Sequence, residues 1–148
     1  MTETKIICGG RAVKKAISGP NADAMQISRE KKLRDLQVEF HERFRYLWLE
    51  FFRSPHRERE GSREEDRLDP ELQVGAVPGF RREGELELDG ALSTGAFELK
   101  LAEDFGLYVQ VYRKSYGRWL QTWATDVWPL DEQNRRGRIM GDLGVEVA

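Results

Sequence analysis

The sequence predicts an α+β domain in which one long amphipathic helix packs on a four-stranded antiparallel β-meander. Two patterns support this fold. Apolar residues recur every three or four positions within residues 28–53, as on one side of a helix, whereas after Gly84 they recur every second position between turn signals, as in strands. A length of 148 residues is the usual size of one domain with one core, so residues 1–148 are expected to form a single domain.

Residues 1–26 form a poorly defined N-terminal segment. A strand at residues 5–8 and a short helix at residues 12–17 fit its apolar positions, and the sequence "SGPN" then interrupts the chain. No further element is predicted before the helix.

The long helix is expected over residues 27–53. Ser28 suits its N-terminal cap, and Ser54-Pro55 ends it because the residue before a proline avoids helical geometry. Its apolar residues form one stripe, which makes the helix amphipathic. The stripe consists of Leu33, Leu36, Phe40, Phe44, Leu47 and Phe51.

Residues 54–83 are expected to form a charged and irregular connection. The stretch "HREREGSREEDRLD" has no apolar residue before Leu68, which is typical of a solvated linker. Prolines and glycines follow, with a short strand expected at residues 72–77.

The meander is expected over residues 84–128. Turn signals such as Asp89-Gly90 separate its apolar runs. The residues after it, 129–148, form a tail that could hold one short helix begun by Asp131. The strands are expected at residues 85–88, 96–102, 107–113 and 118–127.

The alternation within these strands predicts which face is the core. Aliphatic side chains are assigned to the inner face, toward the helix, and aromatic and polar ones to the outer face. The inner set is Phe97, Leu99, Leu101, Leu107, Val109, Val111, Leu120 and Ala124. The outer set is Glu98, Lys100, Tyr108, Gln110, Tyr112, Trp119, Gln121 and Trp123.

Two alternatives remain open for the outer face. A bulge or a register shift between the last two strands would turn Trp119 and Trp123 inward and Leu120 outward, because a slip of one residue reverses every side chain. The outer face could also be covered by the tail or by the N-terminal segment, which would make it a second packed layer.

Composition limits the class of protein. Lys and Arg number 24 against 26 Asp and Glu, so the net charge of −2 argues against a general polyanion binder. Cys8 is the only cysteine, which excludes an intrachain disulfide. The sequence shows neither a signal-peptide core nor an apolar stretch of membrane-spanning length, so a cytoplasmic location without membrane contact is expected.

Candidate metal chemistry is limited to one pattern. Asp89 with Glu98-x-Lys100 is similar to the metal-ligand and lysine pattern of the PD-(D/E)XK nucleases, and this resemblance implies Mg²⁺-dependent cleavage. The pattern lacks a proline before Asp89 and a supporting βαβ context. His41 and His56 do not have the spacing of a zinc site. No catalytic residue, metal or cofactor is therefore predicted.

The outer aromatic face carries the functional hypothesis. Trp, Tyr and Arg concentrate binding energy at protein interfaces, so we expect a small non-enzymatic adaptor or inhibitor that binds a protein partner through this face, through the apolar end of the helix, or as a homodimer. Single-stranded nucleic-acid binding through the same aromatic and basic side chains is the alternative, and a metal-dependent nuclease is third. The predicted partner-binding residues are Tyr108, Gln110, Tyr112, Arg113, Arg118, Trp119, Gln121 and Trp123.

Overall fold

A computed structural model describes residues 23–56, 61–141 and 143. The strand and helix expected within residues 5–17 lie outside this part of the chain. The helices are α1 (Leu33–Arg43), α2 (Thr94–Lys100) and α3 (Leu130–Met140), and α2 continues as a π-helical turn over Leu101–Phe105. The strands are β1 (Ala24–Ile27), β2 (Leu47–Phe52), β3 (Gly84–Glu87), β4 (Tyr108–Ser115) and β5 (Arg118–Gln121).

The strands form two antiparallel sheets. One sheet pairs β1 with β3, and the other has the strand order β2-β4-β5. The α+β class and the antiparallel pairing are confirmed. The arrangement of one long helix on a four-stranded meander is wrong.

The long helix over residues 27–53 is the first correction. Helix α1 ends at Arg43, and the following residues form strand β2. Leu47 and Phe51 lie four positions apart, a spacing that fits one turn of a helix as well as one face of a strand. Leu49 lies between them and is buried with them, so the alternation of a strand prevails.

The strand expected at residues 96–102 is the second correction, because this segment lies in α2 and its π-helical turn. Ser93 caps the helix, since its Oγ accepts a hydrogen bond from the Ala96 N–H at 3.1 Å. Phe97 and Leu101 are fully buried at a spacing of four, whereas Leu99, predicted to be in the core, is 55% exposed.

The later elements follow the sequence prediction more closely. Strands β3 and β4 lie near their expected positions, helix α3 begins at Leu130, and the inner residues Leu107, Val109 and Val111 are buried. Strand β5 stops at Gln121, and a 3₁₀ turn over Trp123–Thr125 replaces the rest of the fourth strand. The core assignments of Leu120 and Ala124 are wrong, because both are exposed. A 3₁₀ turn over Val74–Ala76 replaces the short strand at residues 72–77.

The chain folds as two copies of one unit, a first half (residues 24–76) and a second half (residues 84–140). Each half has the order strand, helix, strand, and its last segment returns to the start of its own helix. Backbone hydrogen bonds at the two helix starts correspond one to one. Two bonds reach the first turn of each helix: Leu33 N to Leu72 O (2.9 Å) matches Thr94 N to Trp128 O (2.8 Å), and Arg34 N to Pro70 O (2.9 Å) matches Gly95 N to Asp126 O (2.7 Å). Two more reach the residues before each helix: Val74 N to Lys31 O (2.8 Å) matches Leu130 N to Leu92 O (2.9 Å), and Gly75 N to Arg29 O (3.1 Å) matches Asp131 N to Gly90 O (2.9 Å).

The strand pairing shows that an approximate two-fold axis relates the two halves. Counting back from the matched Arg29 and Gly90 makes Met25 the counterpart of Leu86, and these two residues face each other in the β1–β3 pair. Gln37 and Glu98 are counterparts on the two helices and contact Leu49 and Val111 of the strands that follow, which makes Leu49 the counterpart of Val111, and these also face each other. An antiparallel pair in which counterparts lie opposite one another has local two-fold symmetry.

The two halves share one core. Phe40 of α1 and Phe97 of α2 stack with ring centroids 5.2 Å apart, and both are fully buried. Helix α1 also covers the free edge of β2, where Gln37 Nε2 donates to the Leu49 carbonyl at 2.8 Å. Covering an edge strand in this way satisfies its backbone groups and prevents unwanted pairing.

Candidate functional site

The residues of the predicted partner-binding surface lie on two faces. Tyr112 pairs with Gln121, so their side chains share one face of the three-stranded sheet, whereas Arg113 pairs with Leu120 on the opposite face. By alternation, the face of Tyr112, here called the outer face, also carries Tyr108, Gln110 and Trp119. Arg113 and Arg118 lie on the opposite face, and Trp123 lies in the 3₁₀ turn after β5.

Residues 61–67 cover the middle of the outer face. Ser62 and Gln121 exchange two hydrogen bonds: the Ser62 N–H donates to Gln121 Oε1 at 2.9 Å, and Gln121 Nε2 donates to the Ser62 carbonyl at 3.0 Å. Gln110 is fully buried, and Tyr112 is only 7% exposed. Of the two alternatives left open for this face, the second packed layer is the one observed at Gln110 and Tyr112, although residues 61–67 cover them and not the tail or the N-terminal segment. The segment expected to be a solvated linker forms a second packed layer here.

The exposed remainder of the outer face is an aromatic cluster formed by His41, Trp48 and Trp119. The Trp119 ring lies 6.3 Å from the Trp48 ring and 6.2 Å from the His41 ring. Lys114 Nζ lies 5.6 Å from the centre of the Trp119 ring, in cation–π geometry. Trp119 remains 40% exposed, as does Trp123 farther along the chain.

The outer edge of β5 is open within the part of the chain that the structure describes. Strand β5 pairs with β4 on one side, and none of the other backbone hydrogen bonds between described residues involves Arg118–Gln121. Thr122 N donates to the Val111 carbonyl, so the alternation directs the N–H groups of Trp119 and Gln121 away from β4. Leu120, which is 44% exposed, lies between them.

A second feature is a cavity of about 510 Å³ between α2 and the three-stranded sheet. Small residues on one side of α2 form much of its wall. Polar and charged side chains lie at one part of the lining, and apolar side chains form the rest. The polar lining consists of His56, Ser93, Glu98 and Asp126.

Glu98 is the buried acid of this cavity, with 6% of its surface exposed. Its Oε2 accepts hydrogen bonds from the Val111 N–H at 2.8 Å and from Gln110 Nε2 at 3.3 Å, while its Oε1 lies 3.3 Å from His56 Nε2. Burial raises the pKa of the Glu98 carboxyl, against the lowering effect of hydrogen bonds from His56 and Val111, and nearby Asp126 raises it further.

The nuclease-like arrangement of Asp89, Glu98 and Lys100 does not form. Glu98 and Lys100 lie on a helix and not on one strand face, and Lys100 is exposed. Asp89 is exposed in the loop before α2, where its Oδ1 accepts the Ala91 N–H at 2.9 Å. Among the described residues, no group of three or more His, Cys, Asp or Glu side chains could hold a metal ion.

The two-fold relation explains why the cavity lies beside α2. Helix α1 has larger residues where α2 has small ones: Arg34 corresponds to Gly95, Asp35 to Ala96 and His41 to Ala102. The counterpart of Glu98 is Gln37, which also contacts the backbone of the strand after its own helix, but as a donor to the Leu49 carbonyl, whereas Glu98 accepts the Val111 N–H. The cavity therefore arises where the second half carries small side chains. The sequence does not predict the cavity because alternation predicts a strand over residues 96–102, although Ser93 is also a suitable N-cap for a helix.

No family model, no curated protein and no solved structure matches this chain. Within the described residues, no helix combines the length and the apolar character needed to cross a membrane.

Proposed function

We propose that this protein is a small non-enzymatic interaction protein that binds an extended segment of a protein partner along the open edge of β5. The observation that carries the proposal is the edge of β5, which pairs with no other described backbone segment and lies beside the exposed side chains of Trp119 and Leu120. An extended peptide can add to such an edge as a further strand, with main-chain hydrogen bonds providing affinity and side-chain contacts providing specificity.

The residues around the edge supply contacts on both faces of an added strand. Trp119 lies on the outer face, and Leu120 lies on the opposite face. Their partly exposed rings and methyl groups would bury apolar side chains at alternate positions of the peptide. Trp119 is supported by the other rings of the aromatic cluster, so it offers a rigid contact of the kind that dominates binding energy.

Charge favours a protein segment with acidic residues. Lys114 lies against Trp119, and Arg118 begins β5, so the end of this edge near the β4–β5 turn is basic. A nucleic acid lying across the outer face would meet the acidic 3₁₀ turn Glu64–Asp66, which lies beside the end of β2. A strand added at β5 is separated from that turn by β4.

The other predicted residues support this edge and do not line it. Gln121 ties β5 to Ser62, and Tyr112 and Gln110 lie beneath residues 61–67. Arg113 is held by α3, because its Nη1 donates to Gln133 Oε1 at 2.9 Å.

The test is selection of random linear peptides displayed on phage by the whole protein and by two variants. Leu120→Lys places a charge on the edge strand, which opposes strand addition. Val38→Lys is the matched control, because Val38 is equally exposed at 44% but lies on α1. We expect acidic peptides with alternating apolar residues to bind the parent and Val38→Lys, and their affinity to fall at least about tenfold in Leu120→Lys.

Three outcomes would overturn the proposal. The first is enrichment of no peptide, or equal binding of the selected peptides to Leu120→Lys. The second is a homodimer in sedimentation equilibrium that Leu120→Lys dissociates, which would make a second copy the occupant of the edge. The third is quenching of tryptophan fluorescence by single-stranded oligonucleotides that weakens steeply with salt, which would indicate nucleic-acid binding.

A further inference from the structure

We propose that the cavity beside α2 binds a small organic amine in its ammonium form, with an apolar and preferably aromatic body. This site is separate from the edge of β5 and does not depend on the function proposed for that edge. The inference rests on the size of the cavity, on the placement of its charged groups and on comparison with the other half of the molecule.

The cavity has the size and the walls of a ligand site. Its volume of about 510 Å³ falls within the usual range for pockets that hold small molecules. The walls include Ala96, Leu99, Val109 and Val127, so a ligand needs an apolar body. The Tyr108 ring also lines the cavity and can contact a cation or an aromatic group.

The charged groups in the lining favour a cation. Glu98 and Asp126 both line the cavity, and the effect of Asp126 on the Glu98 pKa shows that the two carboxylates interact. His56 is the only basic side chain among the described lining residues, and it contacts Glu98. Even a protonated His56 balances one of the two acids, so a ligand ammonium group would balance the other.

The first half shows a built-in cation at the corresponding place. Arg34 is the counterpart of Gly95, and its Nη1 forms an ion pair with Glu71 Oε2 at 2.7 Å. In the second half, Gly95 provides no side chain, while Asp126 takes the position that corresponds to Pro70. Glu71 corresponds to Val127, so the second half has neither member of this ion pair, and Gly95 places no arginine side chain there. Its acids are instead new, because Asp126 and Glu98 take the positions of Pro70 and Gln37. An ammonium ligand would supply a positive charge beside these two acids.

Isothermal titration calorimetry with phenethylamine tests this inference on the whole protein. The neutral analogue 2-phenylethanol has nearly the same shape, so the comparison isolates the charge. We expect phenethylamine to bind at least about tenfold more tightly than 2-phenylethanol, since a charge-assisted contact in a partly desolvated site contributes about this much.

Three variants locate the site. Asp126→Asn removes one charge and should weaken phenethylamine binding about tenfold without affecting 2-phenylethanol. Ala102→Leu adds bulk to the cavity wall and should abolish binding of both compounds. Val38→Leu is the matched control, because Val38 on α1 is the counterpart of the lining residue Leu99, and it should bind like the parent. Far-UV circular dichroism and thermal melting show whether each variant is folded.

Several results would overturn the inference. Failure of phenethylamine to bind the parent protein would do so, and so would equal affinity for the amine and the alcohol. Unchanged binding by a folded Ala102→Leu would place any bound amine elsewhere. If Ala102→Leu does not fold, unchanged binding by Asp126→Asn would by itself contradict recognition of the charge.

Discussion

At the scale of single residues, Glu98 and Gln37 show how one position acquires two roles. Each lies on a helix and hydrogen-bonds the backbone of the strand that follows it: Gln37 donates to the Leu49 carbonyl, and Glu98 accepts from the Val111 N–H. The amide does so without charge, whereas the carboxylate carries a charge into a buried position. Glu98 is therefore costly for stability, and the amine site proposed for the cavity beside it would account for that cost.

The pH dependence of Glu98→Gln should show this cost. Because burial raises the folded-state pKa of Glu98, the stability of the parent protein increases as the pH falls from above that pKa toward the ordinary value of 4.5. Glutamine can accept the same Val111 N–H without charge. Urea unfolding should find Glu98→Gln more stable than the parent at neutral pH, with a difference that shrinks toward pH 4.5. A difference that does not change with pH would contradict this account.

Gly106 ends the π-helical turn in a left-handed conformation, with a φ of 71°. A Cβ there would also collide with the Gly79 carbonyl. Gly79 has a φ of 89°, and a Cβ there would lie 3.6 Å from the Gly106 carbonyl oxygen, an ordinary contact distance. Gly79→Ala is therefore a matched control that bears only the conformational cost of about 1–2 kcal/mol. Gly106→Ala should lower the free energy of unfolding by at least about 1 kcal/mol more than Gly79→Ala, because its methyl group would overpack this site. Equal decreases in the free energy of unfolding of the two variants, measured in urea, would show that the loop around Gly79 moves to make room for the methyl group.

At the scale of elements, the sequence predicts that helices and antiparallel strands occur together better than it predicts which segments form them. Strands β3 and β4 and helix α3 could be predicted because alternation or helix-start signals are unambiguous there. The sequence pattern predicts a helix at residues 47–52, which form a strand, and a strand at residues 96–102, which form a helix. Leu47 with Phe51 and Phe97 with Leu101 are spaced four apart, and this spacing fits both structures.

The candidate site was harder to predict than the elements. Trp119 and Trp123 are exposed as expected, but Gln110 is buried by Ser62, which belongs to a segment without apolar residues. Polar side chains that are buried through hydrogen bonds leave no signal in hydropathy. The cavity depends on the contrast between Gly95 and its counterpart Arg34, which becomes visible only when the two halves are superposed in register.

Helix α3 is joined to the sheet by the fully buried Gln133. Its Nε2 donates to the Thr125 carbonyl at 2.8 Å and to Thr125 Oγ1 at 2.9 Å, and its Oε1 accepts from Arg113. Gln133→Leu leaves these groups without partners, which costs about 1–3 kcal/mol. The partly exposed Glu132→Gln is the control and should cost less, because the ion pairs of Glu132 with Arg135 and Arg136 are screened by solvent. Urea unfolding measures both, and equal effects would mean that the buried contacts add nothing.

At the scale of the whole molecule, the two halves share a plan and differ in their surfaces. The strand pairs across the axis, Met25 with Leu86 and Leu49 with Val111, join the halves into one core. Neither half could close this core alone, because each sheet takes strands from both. The second half carries the two features proposed to act, the open edge of β5 and the cavity beside α2. Both proposed sites therefore lie mainly on the second half, while the first half contributes His56 to the cavity wall and Trp48 to the support of Trp119.

Amide chemical-shift mapping by NMR, with phenethylamine added to the whole protein, tests this division most directly. The account predicts shifts concentrated at the N-terminal turn of α2, at Val111 and at Asp126, with the corresponding residues of α1 unchanged. Shifts of equal size around Arg34 and Trp48 in the first half, or no shifts in either half, would contradict it.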